Sequence, residues 1–181
     1  MMIACTKQRF RMVKTGIVLA AIMGFMAAAG SAKAADPREL GTFGKWSAYV
    51  FTEDGSKVCY MASQPDTDEG DYSRRGDIYA LITHRPAEGT KNVFSYIAGY
   101  PYKAGSDATV KIDDNTFTLF TQDETAWAPD AATDNSITEA IRKGYKMVVK
   151  GTSSRGTLTT DTFSLKGSSD AHDAISRECG I

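Results

Sequence analysis

WSAYVFTEDGSKVCYMAS, running from Trp46 to Ser63, is the stretch whose reading decides the fold class. Its first arm, Trp46 to Thr52, is rich in β-branched and aromatic residues, which fit a pleated, half-buried surface. Glu53-Asp54-Gly55-Ser56 then carries an Asp-Gly pair, the residues that tolerate the positive φ of a tight hairpin turn. Lys57 to Ser63 resumes the strand composition and holds Cys59, so the whole predicts an antiparallel hairpin. Upstream, Leu40 to Trp46 reads as a lead-in segment in which Gly41 and Gly44 flank Phe43.

The same grammar repeats downstream. Gln64 to Arg75 contains Pro65, Gly70 and the acids Asp66, Asp68, Glu69 and Asp71, and is expected to be a solvated loop. Asp77 to His84 and Lys91 to Tyr100 read as a third and a fourth strand, joined through Arg85 to Gly89. Thr109 to Ile112 and Thr116 to Phe120 flank the turn-forming triplet Asp113-Asp114-Asn115 and predict another hairpin. Tyr145 to Lys150 and Thr157 to Lys166 are strands on either side of a Ser- and Gly-containing turn. Two helices interrupt them. Ser136 and Glu139 have capping-box spacing, Ile137, Ala140 and Ile141 share one face, and Gly144 is placed to end the helix. From Ser168 to Cys179, Ala171, Ala174, Ile175 and Cys179 fall on one face of a terminal helix, which aims Cys179 inward. About nine short strands with two short helices, one C-terminal, predict an all-β protein, mainly an antiparallel β-sandwich.

The first 34 residues have a different character. Lys7 to Lys14 is basic without an acid, Gly16 to Gly30 carries no charge, and Ser31-Ala32-Lys33-Ala34 supplies the small-x-small pattern that signal peptidase accepts. The apolar run is shorter than the roughly 18 to 20 residues of a spanning helix. Residues 1–34 are therefore expected to be a cleaved signal peptide, with Met12 a possible alternative start, and residues 35–181 a single domain. That domain holds 16 Lys and Arg against 22 Asp and Glu, a net charge of −6. It lacks the positive surplus that neutralises phosphates, which argues against nucleic acid and anionic lipid as partners. Cys5 precedes the apolar run and is lost with it, leaving Cys59 and Cys179. Two cysteines in an oxidising compartment predict one disulfide closing a loop of about 120 residues; buried free thiols or intermolecular bonds are the alternatives.

Catalytic signatures are sparse. No G-x-S-x-G elbow occurs, and the serine-rich turn Gly151 to Gly156 joins strand to strand rather than strand to helix. His84 and His172 lack metal-pair spacing, and the acids from Asp66 to Asp77 match a calcium loop only weakly, so neither a metal nor a cofactor is expected. Aromatic side chains near turns and strand ends are the better candidates for contact. Tyr96, Tyr100, Tyr102 and Trp127 could stack on a sugar or meet a protein, although Trp46 and Trp127 are assigned first to the core.

Several segments occur together in a recognisable order: Phe43-Gly44-Lys45-Trp46, the Cys59 strand, Gly99-Tyr100-Pro101-Tyr102-Lys103, Phe117 to Thr121, Ala126-Trp127-Ala128, Lys150 to Ser153, Arg155-Gly156-Thr157, Asp161 to Gly167 and the Cys179 helix. In this order they resemble the invasion-associated locus B (IalB) family of exported alphaproteobacterial proteins, over most of residues 41–181. Many relatives carry additional cysteines, whereas here the mature chain has one pair. The resemblance implies a periplasmic or envelope-associated β-sandwich, linked in pathogenic members to invasion of host cells, and brings no catalytic residues to transfer. The expectation is thus a non-enzymatic envelope protein that contacts another protein or an envelope glycan. The alternative is a hydrolase acting on envelope carbohydrate through a carboxylate pair.

Overall fold

The computed structural model describes residues 36–181, and the expected signal segment at residues 1–34 lies outside them. Eleven strands appear in chain order: β1 (Arg38–Phe43), β2 (Trp46–Glu53), β3 (Ser56–Ser63), β4 (Thr67–Gly70), β5 (Tyr79–Arg85), β6 (Thr90–Ile97), β7 (Ala108–Ile112), β8 (Asn115–Gln122), β9 (Thr125–Trp127), β10 (Lys146–Thr152) and β11 (Leu158–Ser164). Helix α1 (Ala131–Lys143) lies between β9 and β10, and α2 (Ser168–Cys179) closes the chain. The protein is mainly antiparallel sheet with two helices, one of them C-terminal, as the alternation of short apolar runs and turns predicts.

Hydrogen bonding links the strands in the order β1-β2-β3-β5-β6-β9-β8-β7-β10-β11-β4, every pair antiparallel. Strand β8 belongs to two neighbourhoods: Asn115 to Leu119 pair with β7, and Phe120 to Gln122 pair with β9. It divides the strand order into a first wing, β1 to β6 with β9, and a second wing of β7, β10, β11 and β4. The wings face each other across a shared core. Tyr96 of β6 meets Phe163 of β11 edge-on with ring centroids 6.2 Å apart, and the Trp46 indole N–H donates to the Ser164 carbonyl at 3.2 Å. Inward residues alternate along each strand: Trp46, Ala48 and Val50 on β2, Ala80 and Ile82 on β5, Met147 and Val149 on β10 are all buried. Each large side chain removed from water in this way contributes about 1.5–3 kcal/mol before entropy is counted.

Three differences from the expected element map have local causes. The acidic segment after Gln64 is not loop throughout, because Thr67 to Gly70 pairs with Thr159 to Thr162 of β11. All four residues are exposed, and a short charged strand at a sheet edge resists further pairing. Ser136 is not the N-cap of α1. The helix begins at Ala131, and the Asp130 carboxylate accepts from the Thr133 N–H, while the Ser136 hydroxyl turns back to the Ala132 carbonyl. The extra turn is held from outside: the Asp134 carboxylate accepts the Phe94 N–H, and the Thr138 hydroxyl donates to the Asn92 carbonyl, so α1 covers the part of the β6 edge that β9 does not reach. The lead-in segment is itself a strand, β1, with a bulge at Glu39 to Gly41.

Cys59 and Cys179 form the disulfide, with Cα atoms 6.0 Å apart. It fastens the end of α2 to the inner face of β3, and on the chain-entropy argument a loop of this length contributes about 4–5 kcal/mol. At the other end of α2, Gly167 has φ of 90°, and a Cβ there would collide with the Phe43 carbonyl. Among the described residues, no helix is long and apolar enough to cross a membrane.

Candidate functional site

Period-two alternation gives the first wing a second face. With Trp46, Ala48 and Val50 turned into the core, Ser47, Tyr49 and Phe51 must point outward; on β3 and β5 the outward set includes Tyr60, Ala62, Tyr79 and Leu81. Strand register aligns these residues in rows. One row runs Ser47, Ala62, Leu81, Ser95, Trp127 and Phe120 across six strands; a second runs Tyr49, Tyr60, Thr83 and Val93 across four. Neither helix covers this face. Helix α2 meets the inner face through Cys179 and through Ser176, which reaches His84, and α1 lies along the β6 edge. Most of these side chains are half-buried against one another, and Phe120 is 45% exposed.

The β1 end of the face forms a groove of about 800 Å³. Tyr49 and Tyr60 stack with centroids 5.1 Å apart and planes 20° from parallel, and Phe51 meets Tyr60 edge-on. Partial burial, with Tyr49 and Tyr79 as neighbours, pushes the Tyr60 hydroxyl above its ordinary pKa, so it is neutral near neutral pH. Thr42, Ser47 and Gln64 supply polar groups around the rings. The charges in the lining, Lys45 and Asp66, are paired at 2.7 Å. A groove of neutral rings and hydroxyls is suited to binding; it has neither a nucleophile–base pair nor two facing carboxylates.

The tyrosines singled out in the sequence lie elsewhere. Tyr96 is 1% exposed and cannot contact a ligand. Its hydroxyl donates to the Asp161 carboxylate, which also takes two bonds from the Arg75 guanidinium at 2.6 and 2.7 Å. Arg75 directs two further donors to the Ala98 carbonyl and the Tyr96 oxygen, and its cationic plane lies over the rings of Tyr72 and Tyr100. Burial alone would weaken the Arg75 charge, but the hydrogen bonds and charge of Asp161 outweigh it, so the guanidinium is held more firmly protonated than usual. Burial, reinforced by Asp161, pushes the Tyr96 pKa up. Tyr100 is half-buried with its oxygen 2.6 Å from the Thr159 hydroxyl, and Tyr102 is buried against it. These three tyrosines therefore surround a structural ion pair instead of lining one contact surface. Trp127 is half-buried on the open face rather than in the core, at the end opposite the tyrosine groove.

 The two histidines, His84 and His172, are 88 residues apart in the chain and form a third cluster with ring centroids 5.3 Å apart. The Asn92 N–H donates to His84 Nδ1 at 3.0 Å, which leaves Nε2 to donate to the Ser176 hydroxyl at 3.2 Å. His172 Nε2 donates to the Asn92 side-chain oxygen at 2.9 Å, and its Nδ1 accepts from Ser176 at 3.4 Å. The ring of bonds requires both imidazoles neutral. Burial, with His172 nearby, lowers the His84 pKa to about 4, and burial followed by Arg142 lowers that of His172. Among the described residues, no group of three or more His, Cys, Asp or Glu is placed to hold a metal ion.

Comparison with known proteins bears on both fold and family. The family model described as "Invasion associated locus B (IalB) protein" matches residues 46–176. The crystal structure of invasion associated protein b from Bartonella henselae is similar to this chain at a TM-score of 0.56 and 17% identity, covering 76% of this chain and 95% of that one. At that identity the likeness shows the fold alone. No curated protein matches.

Proposed function

The chain belongs to the invasion associated locus B family, and from that premise we propose that it is an exported, non-catalytic binding protein of the cell envelope, working through the open face of its first wing. The observation that carries the reading is the aromatic row structure on a sheet face that neither helix covers. A sheet face of half-buried aromatic and aliphatic side chains that neither helix covers leaves apolar surface open to a partner, and such surface commonly marks a contact site. Export is supported by the signal-like N-terminal sequence and by the disulfide, which persists in an oxidising compartment such as the periplasm. The Bartonella henselae relative is described as invasion associated. A corresponding role here would be exercised by the same face.

The carbohydrate-hydrolase reading finds less support. The tyrosine groove has Asp66 as its one carboxylate, already paired with Lys45. Asp113 and Glu139 do line a common shallow pocket, but Asp113 accepts the N–H groups of Tyr145 and Lys146, and Glu139 is bound to Lys143 and Arg142. Lys143 holds Glu139 below its ordinary pKa, which is the wrong direction for a general acid.

The test is export followed by capture. Expression of the full chain in a Gram-negative host should yield a periplasmic product beginning near Ala35, with both thiols blocked to alkylation until reductant is added. Cross-linking groups placed at Leu81 and Thr125 should capture envelope material that the same group placed at Tyr145, an 85% exposed residue of the α1–β10 junction, does not. A cytoplasmic product, or equal capture from all three positions, would overturn the reading.

A further inference from the structure

We infer that the tyrosine groove at the β1 end of the open face binds a neutral, β-linked oligosaccharide, an inference that rests on the open face being the working surface. The argument begins with the rings. Tyr49, Tyr60 and Tyr79 stand on the adjacent strands β2, β3 and β5 and all line one groove, with the first two stacked nearly parallel. A pyranose has a flat C–H face that packs on an aromatic ring and a rim of hydroxyls that need hydrogen-bond partners. The groove offers both. Beside the rings lie the hydroxyls of Thr42 and Ser47, 2.8 Å from each other, and the Gln64 amide, which both donates and accepts. Thr42 also donates to Glu39 at 2.7 Å, so the Thr42–Ser47 bond is donated by Ser47 and lone pairs of the Ser47 oxygen remain for a ligand hydroxyl.

Charge decides between ligand classes. The one cation and one anion in the lining neutralise each other, and the described domain carries 16 basic against 22 acidic residues. Such a surface repels nucleic acids, acidic polysaccharides and anionic lipid headgroups, and it offers no unpaired charge for an acidic or basic peptide. Size is consistent with an oligomer: about 800 Å³ in an open groove gives room for roughly two to four sugar rings. The stacked Tyr49–Tyr60 pair and Tyr79 lie along one groove, and the extended form of a β-linked chain lets successive sugars contact them in turn.

Isothermal titration of the protein purified after expression of the full chain, using chitotetraose, cellotetraose and xylotetraose as probes and tetragalacturonate as the acidic control, tests the inference. At least one neutral tetramer should bind. Tyr60→Ala and Tyr49→Ala should each weaken it about ten-fold or more, Tyr60→Phe should stay within about three-fold, and the acidic control should not bind. Thermal melts of the variants establish that they fold. Absence of binding by all three neutral probes, equal binding by Tyr60→Ala, or preference for the acidic tetramer would overturn it. Capture of a protein at the open face without any oligosaccharide binding would overturn the sugar and leave the broader reading standing.

Discussion

Tyr49, Tyr60 and Tyr79 on one side of the first wing and Tyr96, Tyr100 and Tyr102 toward the other side are the same residue type put to opposite uses. In the first set Tyr49 and Tyr60 stack ring against ring, and all three line the groove. The second surrounds Arg75 and Asp161, whose side chains are 4% and 1% exposed. For the strand residues Tyr49, Tyr60, Tyr79 and Tyr96, the difference teaches that an aromatic residue's role follows from its strand parity relative to the core more than from its distance to a turn. A surface tyrosine contributes area to a partner; of the inward set, Tyr96 satisfies its buried oxygen by donating to the Asp161 carboxylate, Tyr100 bonds the Thr159 hydroxyl, and the buried Tyr102 oxygen has no partner among the described residues.

Breaking the inward set should cost most. Asp161→Ala leaves the Arg75 charge buried and unpaired, and should destabilise the fold by about 3–5 kcal/mol in urea unfolding. The double replacement Arg75→Met with Asp161→Leu should be less damaging than either single change, because no orphan charge remains. Reduction of the disulfide comes next: residual structure in the reduced unfolded chain trims the loop-closure contribution of about 4–5 kcal/mol to a net loss of about 2–4 kcal/mol on the same measurement. Tyr96→Phe removes the hydroxyl from Asp161 and should cost about 1–3 kcal/mol. Tyr60→Ala, on the outward face, should cost under about 1 kcal/mol while weakening sugar binding about ten-fold or more. A reversed order of Tyr96→Phe and Tyr60→Ala would break the comparison.

Acid sharpens the same contrast between inside and outside. His84 titrates near the ordinary value of 6.5 when unfolded and near 4 when folded, so the unfolded chain binds the proton first as pH falls. Stability from this residue is therefore intact above about 6.5 and declines progressively toward about 4, with His172 acting in the same direction. Urea midpoints measured across that window should drop for the wild type and drop less for His84→Gln. On the open face the Tyr60 hydroxyl, pushed above its ordinary pKa by partial burial, contributes no such dependence.

Much of the fold was legible because short-range chemistry dictated it. The Asp54-Gly55 turn set the β2–β3 hairpin, and the spacing of Ala171, Ile175 and Cys179 set both α2 and the inward aim of the disulfide. What was missed depends on long-range partners. β4 exists only because β11 offers it an edge, β9 is three residues long and is held between β6 and β8, and the first turn of α1 rests on bonds to the β6 backbone. The candidate site was legible in principle. Trp46, Ala48 and Val50 as core residues force Tyr49 outward, and the hairpin register then places Tyr60 beside it. Proximity to Pro101 and to strand ends points instead to Tyr96, Tyr100 and Tyr102. The Arg75–Asp161 pair spans 86 residues and no local pattern announces it.

The most direct test is chemical-shift mapping of the isotopically labelled protein during titration with the tetramer that binds most tightly. The account predicts perturbations concentrated at Ser47, Tyr49, Tyr60, Ala62, Tyr79 and Leu81, with the amides around Tyr96 and Asp161 unmoved. Perturbations centred on Tyr100 and Thr159, or none on the open face at saturating sugar, would contradict it.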